Sequence, residues 1–229
     1  MVKNALWMLL LILVCRSAYA AWSSSDSEQL LAKMEASYDE VQDYHTRLVI
    51  TGFGRDDSFR SRQELIYRFK KPNKVRIDFI TPHSGMTILY PASEGKVLVQ
   101  PSGWASLFAL NLDVSHSLLE ISPGQRIDQT DYGVLIANIR HSLTDLFLGD
   151  LRVDVTPEQT ILHVQSDNPF QRGTATRYVF AIDNRLSLPV RVTEMDAHGR
   201  LLRTVDYRDL KINTGLSEAL FILPKPHED

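Results

Sequence analysis

Period-two alternation, repeated segment after segment, most narrows what this chain can fold into. Leu65, Tyr67 and Phe69 alternate with Glu64, Arg68 and Lys70, and Val75, Ile77 and Phe79 alternate with Lys74, Arg76 and Asp78. Successive side chains of a strand point to opposite faces, so this spacing predicts strands with one buried face. Lys71-Pro72-Asn73 and Pro82 to Gly85 are turn signals between them. Met86, Ile88 and Tyr90 continue the pattern, and Ser93-Glu94-Gly95 is a tight hairpin signal before Val97 and Val99. The pattern resumes at Leu151-Val153-Val155, Ile161 to Gln165, Thr174 to Asp183 (Tyr178, Phe180 and Ile182 on one face) and Pro189 to Met195. Asp196 to Gly199 reads as a hairpin loop before a long strand from Leu201 to Ile212. That strand's alternation slips near Asp209, which predicts a bulge. Phe221 to Leu223, before Pro224, reads as a last short strand.

Short strands joined by short turns make an antiparallel meander, not βαβ units. About ten strands are expected, with three helical pieces. Ser24 and Ser25 offer N-caps to a helix carrying Leu30, Leu31, Met34 and Tyr38 on one face. Residues 102–147 lose the alternation and are expected to form two helical pieces across the sheet, the second capped by Asp131 and running through Ile136, Ile139, Leu143 and Phe147. The fold class is thus mainly β (α+β): an unclosed, strongly curved antiparallel half-barrel with a helical lid. Three helices do not fill the concave side of so large a sheet, so a partly open apolar space is expected there.

The first residues read as a secretory signal. Lys3 precedes an apolar run from Ala5 to Val14, and Ala18-Tyr19-Ala20 is a small-x-small cleavage site. Arg16 and Ser17 cut the run short of the ~20 apolar residues a spanning helix needs. Residues 1–20 are therefore expected to be cleaved after Ala20, leaving 21–229 as one exported domain. Cys15, the only cysteine, lies inside this segment behind Val14, a poor setting for lipidation. The mature chain then has no disulfide and no thiol chemistry. Losing Lys3 and Arg16 leaves 23 basic against 28 acidic residues, a net of −5. That balance argues against nucleic acid as a partner and against anionic membrane surfaces.

Chemistry-bearing motifs are missing. No Gly-x-Ser-x-Gly elbow and no phosphate-cradling glycine loop occurs. His141 and Asp145 have i, i+4 spacing and read as a surface pair; no metal and no cofactor is expected. Glu64, Arg76 and Asp78 read as outward charges paired across strands.

The order of features resembles the LolA/LolB superfamily of periplasmic lipoprotein carriers, nearest a divergent outer membrane lipoprotein-sorting branch. Phe69-Lys70-Lys71-Pro72-Asn73-Lys74-Val75-Arg76 is similar to that family's strand–turn–strand with a basic-basic-Pro pattern. Pro82 and the hairpin from Tyr90 to Pro101 follow. Tyr178 to Asp183, Leu188-Pro189, Gly199, Asn213, Phe221 and Pro224 match the C-terminal order. The resemblance implies a half-barrel that sequesters lipoprotein acyl chains without a cofactor. It also implies an inner-membrane releasing complex and an outer-membrane acceptor as partners. Relatives place Arg before the turn proline, where it latches the lid; here Lys71 lacks the planar guanidinium fork, so the same latch is not expected.

The candidate cavity lining is Leu65, Tyr67, Phe69, Val75, Ile77, Phe79, Met86, Ile88, Tyr90, Tyr178, Phe180 and Ile182. Taken singly, each is as readily a core residue. Lys71 and the apolar stretch Trp104, Leu107, Phe108, Leu110 and Leu112 are the candidate lid or gate. The cargo would be lipoprotein acyl chains or another lipid, held by a monomer. The same half-barrel also serves as an envelope lipid or lipoprotein sensor, which remains open; the sensor form carries a second C-terminal domain, and this chain ends at Asp229. An outer-membrane acceptor would need a lipidated cysteine, and an enzyme a nucleophile and base that the sequence does not display.

Overall fold

The computed structural model describes residues 22–54, 58–103, 108–116, 119, 125–144 and 151–223. Eleven strands form one antiparallel sheet: β1 (Asp43–Phe53), β2 (Phe59–Lys70), β3 (Lys74–Thr81), β4 (Thr87–Tyr90), β5 (Val97–Gln100), β6 (Leu110–Leu112), β7 (Arg152–Val155), β8 (Gln159–Asp167), β9 (Ala175–Asp183), β10 (Leu188–Asp196) and β11 (Leu201–Ile212). Two helices, α1 (Ser24–Asp39) and α2 (Tyr132–Thr144), accompany it. The strand order is β6-β5-β4-β3-β2-β1-β11-β10-β9-β8-β7. Two meanders are thus joined where the first strand meets the last, and β6 and β7 are left as short edges that do not pair.

Laid flat, eleven strands would span about 50 Å. Five register irregularities, all within β1–β3 and β9–β11, bend the sheet instead. One is the expected bulge: two residues, Asp209 and Leu210, face Thr46 alone, with Asp209 at φ 53°. The chain leaves the sheet at one edge, β6, and re-enters at the other, β7. The connection must cross the concave opening, and α2 is the part that does so.

The N-cap of α1 is Ser23, one residue before the expected pair. Its hydroxyl accepts from the Asp26 amide, while Asp26 accepts from the Ser23 amide. Leu31 and Met34 bury one face. Asp131 caps α2, accepting from the amides of Gly133 and Val134 at 2.7 and 3.3 Å.

Three expectations are corrected. Within the first of the two expected helical pieces, Leu110–Leu112 is instead edge strand β6, paired to β5. The unpaired backbone of β5 decides that segment, overriding its leucine-rich composition. Phe221 belongs to a 3-10 turn, Glu218–Phe221, and not to a final strand. That turn lies against the outer face of β3, where Arg76 donates to the Leu220 carbonyl and Lys70 and Lys74 pair with Glu218. Finally, β1 is a full strand at the centre of the sheet that the sequence reading did not identify. Its Asp43, 3% exposed, accepts from the amides of Thr214, Gly215 and Leu216 and ties the C-terminal segment to the sheet.

Candidate functional site

The concave face is filled unevenly. On the β2–β4 side, Leu65, Tyr67, Phe69, Val75, Ile77 and Ile88 are buried in the core. Tyr44 of β1 stacks among them, with ring centroids 5.8 Å from Tyr67, 5.2 Å from Phe69 and 4.9 Å from Tyr132 of α2. Phe79 and Tyr90 pack against this core and are partly buried, and Met86 is half-buried just before β4. Aromatic rings thus occupy this half. Ile182, fully buried in β9, lies near the end that α1 closes.

Open space lies on the other half. A cavity of about 80 Å³ sits between the strands β1, β9, β10 and β11 and the overlying α2. Leu48, Ile50, Phe180, Val192 and Val205 form its apolar floor, and Leu135, Asn138 and Ser142 form its roof. The floor follows from register: Ile50 pairs with Val205, Val205 with Val192, and Val192 with Phe180, one row across four strands. The roof follows from helical spacing, since positions i, i+3 and i+7 share a face. Of the sequence-based lining candidates, Tyr178 and Phe180 border this cavity. Leu48, Ile50, Val192 and Val205 were missed. Their signal was present in the alternation of β1, β10 and β11.

The outer end of the cavity is polar. Arg203 donates twice to Glu194, Nη2 to Oε1 at 2.8 Å and Nε to Oε2 at 3.1 Å, with both side chains under 20% exposed. Pro169 and Phe170, from the connection between β8 and β9, flank this end. Loss of solvent pushes the Tyr207 phenol up to about 12, so this wall carries no phenolate at neutral pH.

The roof is anchored in the core by Tyr132, Ile136 and Ile139 and joined to α1 by a few polar contacts. Arg140 of α2 reaches Glu35 and Glu28 of α1 at 2.8 and 3.2 Å, all on partly exposed side chains. The Tyr38 hydroxyl of α1 donates to Asp131, the cap of α2, at 2.8 Å. Gly133 permits this approach, since a Cβ there would stand 2.7 Å from the Tyr38 ring.

Lys71 joins the same assembly from below. Its ammonium donates to the Tyr38 and Asp39 carbonyls at 2.8 and 3.0 Å and stands 4.6 Å from the Tyr38 ring centroid. These are the last carbonyls of α1, where the helix dipole is negative. Phe108 is exposed, while Leu110 and Leu112 lie in edge strand β6, exposed and half-buried respectively. Trp104 and Leu107 lie outside the described residues.

No protein-family model matches the chain, and no curated protein matches it. Solved structures do. A LolA superfamily protein from Nitrosomonas europaea is 13% identical, with a TM-score of 0.43 over 86% of this chain and 97% of that one. The Mycobacterium tuberculosis lipoprotein LppX is 14% identical, with a TM-score of 0.42 over 83% and 98%. MucB is 14% identical, with a TM-score of 0.51 over 89% of this chain. The chain shares the fold of MucB. This chain spans 64% of MucB's own length, and at these identities the likeness is one of fold. Among the described residues, no helix is long and apolar enough to cross a membrane, and no three His, Cys, Asp or Glu side chains gather as a metal site.

Proposed function

We propose that this protein is an exported periplasmic carrier that shields the acyl chains of lipoproteins, or of another lipid, during transfer towards the outer membrane. The observation that carries the reading is the apolar cavity between the row Ile50-Val205-Val192-Phe180 and α2. A partly open, mainly apolar space under a helix suits a ligand that must enter, stay dry and leave.

The magnitudes favour a roof that lifts. Ligand pockets commonly measure ~300–1,000 Å³, so a space of about 80 Å³ is a closed state. Each methylene removed from water is worth about 0.8 kcal/mol, so a chain of some fifteen gains about 12 kcal/mol. The exposed Arg140 pairs that hold α2 to α1 contribute at most ~1 kcal/mol each. Lifting α2 also uncovers buried Ile136 and Ile139, at about 1.5–3 kcal/mol each, which an acyl chain's burial still offsets. Removal of residues 1–20 on export, a 21–229 binding domain, and release and acceptor proteins at the two membranes belong to the same proposal.

A nitroxide-labelled acyl chain tests it. On binding, the nitroxide should broaden the NMR signals of Ile50, Phe180 and Val192 before those of the outer face. Broadening confined to the outer face or to the edge strands would place any lipid elsewhere and remove the basis for a carrier.

A further inference from the structure

The cavity roof holds a hydroxyl that the fold leaves unused. Ser142 is 1% exposed, borders the cavity, and its Oγ has no hydrogen-bond partner among the described residues. A serine inside a helix ordinarily bonds back to a carbonyl one turn earlier. Thr144, two residues on, does this, donating to the Arg140 and His141 carbonyls at 3.1 and 3.0 Å. The Ser142 hydroxyl makes no such bond and is itself shut off from solvent in the closed roof, at a residue that borders the cavity. A buried polar group without a partner is costly to keep, so one that persists at a cavity wall calls for a partner inside the cavity. Asn138, one turn earlier on the same face, adds an amide to that wall.

The charges nearby restrict what the partner can be. Glu194 and Arg203 form a two-point pair at the outer end, so each charge there is already balanced. A free carboxylate there would meet an Arg203 whose charge Glu194 already balances, together with the repulsion of Glu194 itself, and would be a second, uncompensated anion in a largely buried site. An ester or amide carbonyl accepts from the hydroxyl and brings no charge. We propose that the site selects acyl chains whose head is an uncharged ester or amide, bound through Ser142 and Asn138, over free fatty acids. This specificity rests on the acyl-carrier reading above and deepens it.

Displacement of the neutral fluorescent probe N-phenyl-1-naphthylamine tests the proposal, with 1-monopalmitoylglycerol and palmitate as competitors at pH 7. For the wild type, the ester should displace the probe at concentrations at least about fivefold below palmitate, the equivalent of one net hydrogen bond. Ser142→Ala should remove about fivefold of the ester's affinity while leaving palmitate and the probe itself unchanged. The variant should fold, since it removes an unpartnered hydroxyl, and its melting temperature checks this. Asn138→Leu, at a less buried position, should also weaken the ester selectively. Probe binding with equal displacement by both lipids, or an unchanged ester affinity in Ser142→Ala, would overturn the selectivity while leaving the carrier intact; the hydroxyl would then hold only water. Failure of the probe and of both lipids to bind the wild type would overturn the selectivity and the carrier together.

Discussion

Filling the cavity should stabilise the protein and abolish its binding. Val192, in β10, is 7% exposed and lies in the floor between Phe180 and Val205. A phenylalanine there would project its ring into the free space below Leu135 and Asn138. Empty apolar volume costs about 24 cal/mol per Å³, so closing the whole cavity of about 80 Å³ would regain about 2 kcal/mol. In a chain of this length that raises Tm by about 4–8 °C, and partial filling gives proportionally less. A ring that failed to fit would cost about 1–3 kcal/mol instead. Thermal unfolding reads the first effect and displacement of a fluorescent acyl probe the second. Val192→Phe is expected to raise Tm by several degrees and weaken acyl binding at least tenfold. Arg191→Phe, whose neighbour-position side chain faces the other side of the sheet, should leave binding unchanged. A raised Tm with undiminished binding would show that the cavity is not where the chain resides.

Two further outcomes follow from the packing. Lys71→Met removes both hydrogen bonds to the last carbonyls of α1 and should cost about 1–2 kcal/mol, with faster amide exchange in that helix's final turn; unchanged exchange would mean the ammonium fastens nothing. Asp78 supplies a pH dependence. Burial acts to raise its pKa, but hydrogen bonds from Arg76 and Thr87 and the charges of Arg76 and Arg68 outweigh that and hold it below the ordinary carboxylate value. A carboxyl whose pKa is lowered by folding stabilises the native state above its unfolded pKa, about 3.9, and loses that contribution as pH falls through the folded value. The Tm gap between the wild type and Asp78→Asn should therefore be present at pH 7 and shrink below pH 4. A gap independent of pH would refute the assignment.

Much of the architecture was legible because alternation and turn chemistry are local. The hairpins at Lys71–Asn73 and Asp196–Gly199, the bulge at Asp209 and the cap at Asp131 all follow from residues within a few positions of one another. Edge strand β6 was not legible, since Leu110–Leu112 extends only because β5 offers a partner from another part of the chain. The strand β1 was readable but masked, its inward row broken by Thr46 between Tyr44 and Leu48.

The position of the cavity was the hardest feature to read. Both halves of the sheet alternate alike, so Leu65, Tyr67 and Phe69 look as suited to lining as Tyr178 and Phe180. What separates them is that Tyr44 and Tyr132 arrive from elsewhere and fill one half with rings. Period two marks an inward face, but it carries no information about what packs against that face. The Ser142 hydroxyl was hidden for a similar reason: a serine in a helix is ordinary until its hydroxyl is seen to lack a partner.

Native mass spectrometry of the protein, purified gently from the periplasm of its own host and followed by lipid extraction, bears most directly on the carrier proposal. A carrier should retain a fraction of molecules with an added mass that resolves on extraction into an acylated protein or an acyl lipid, and Val192→Phe should lack that mass. A protein that emerges free of lipid, and that takes up none when lipid is added, would contradict a carrier and leave a sensing or regulatory module as the use of this half-barrel.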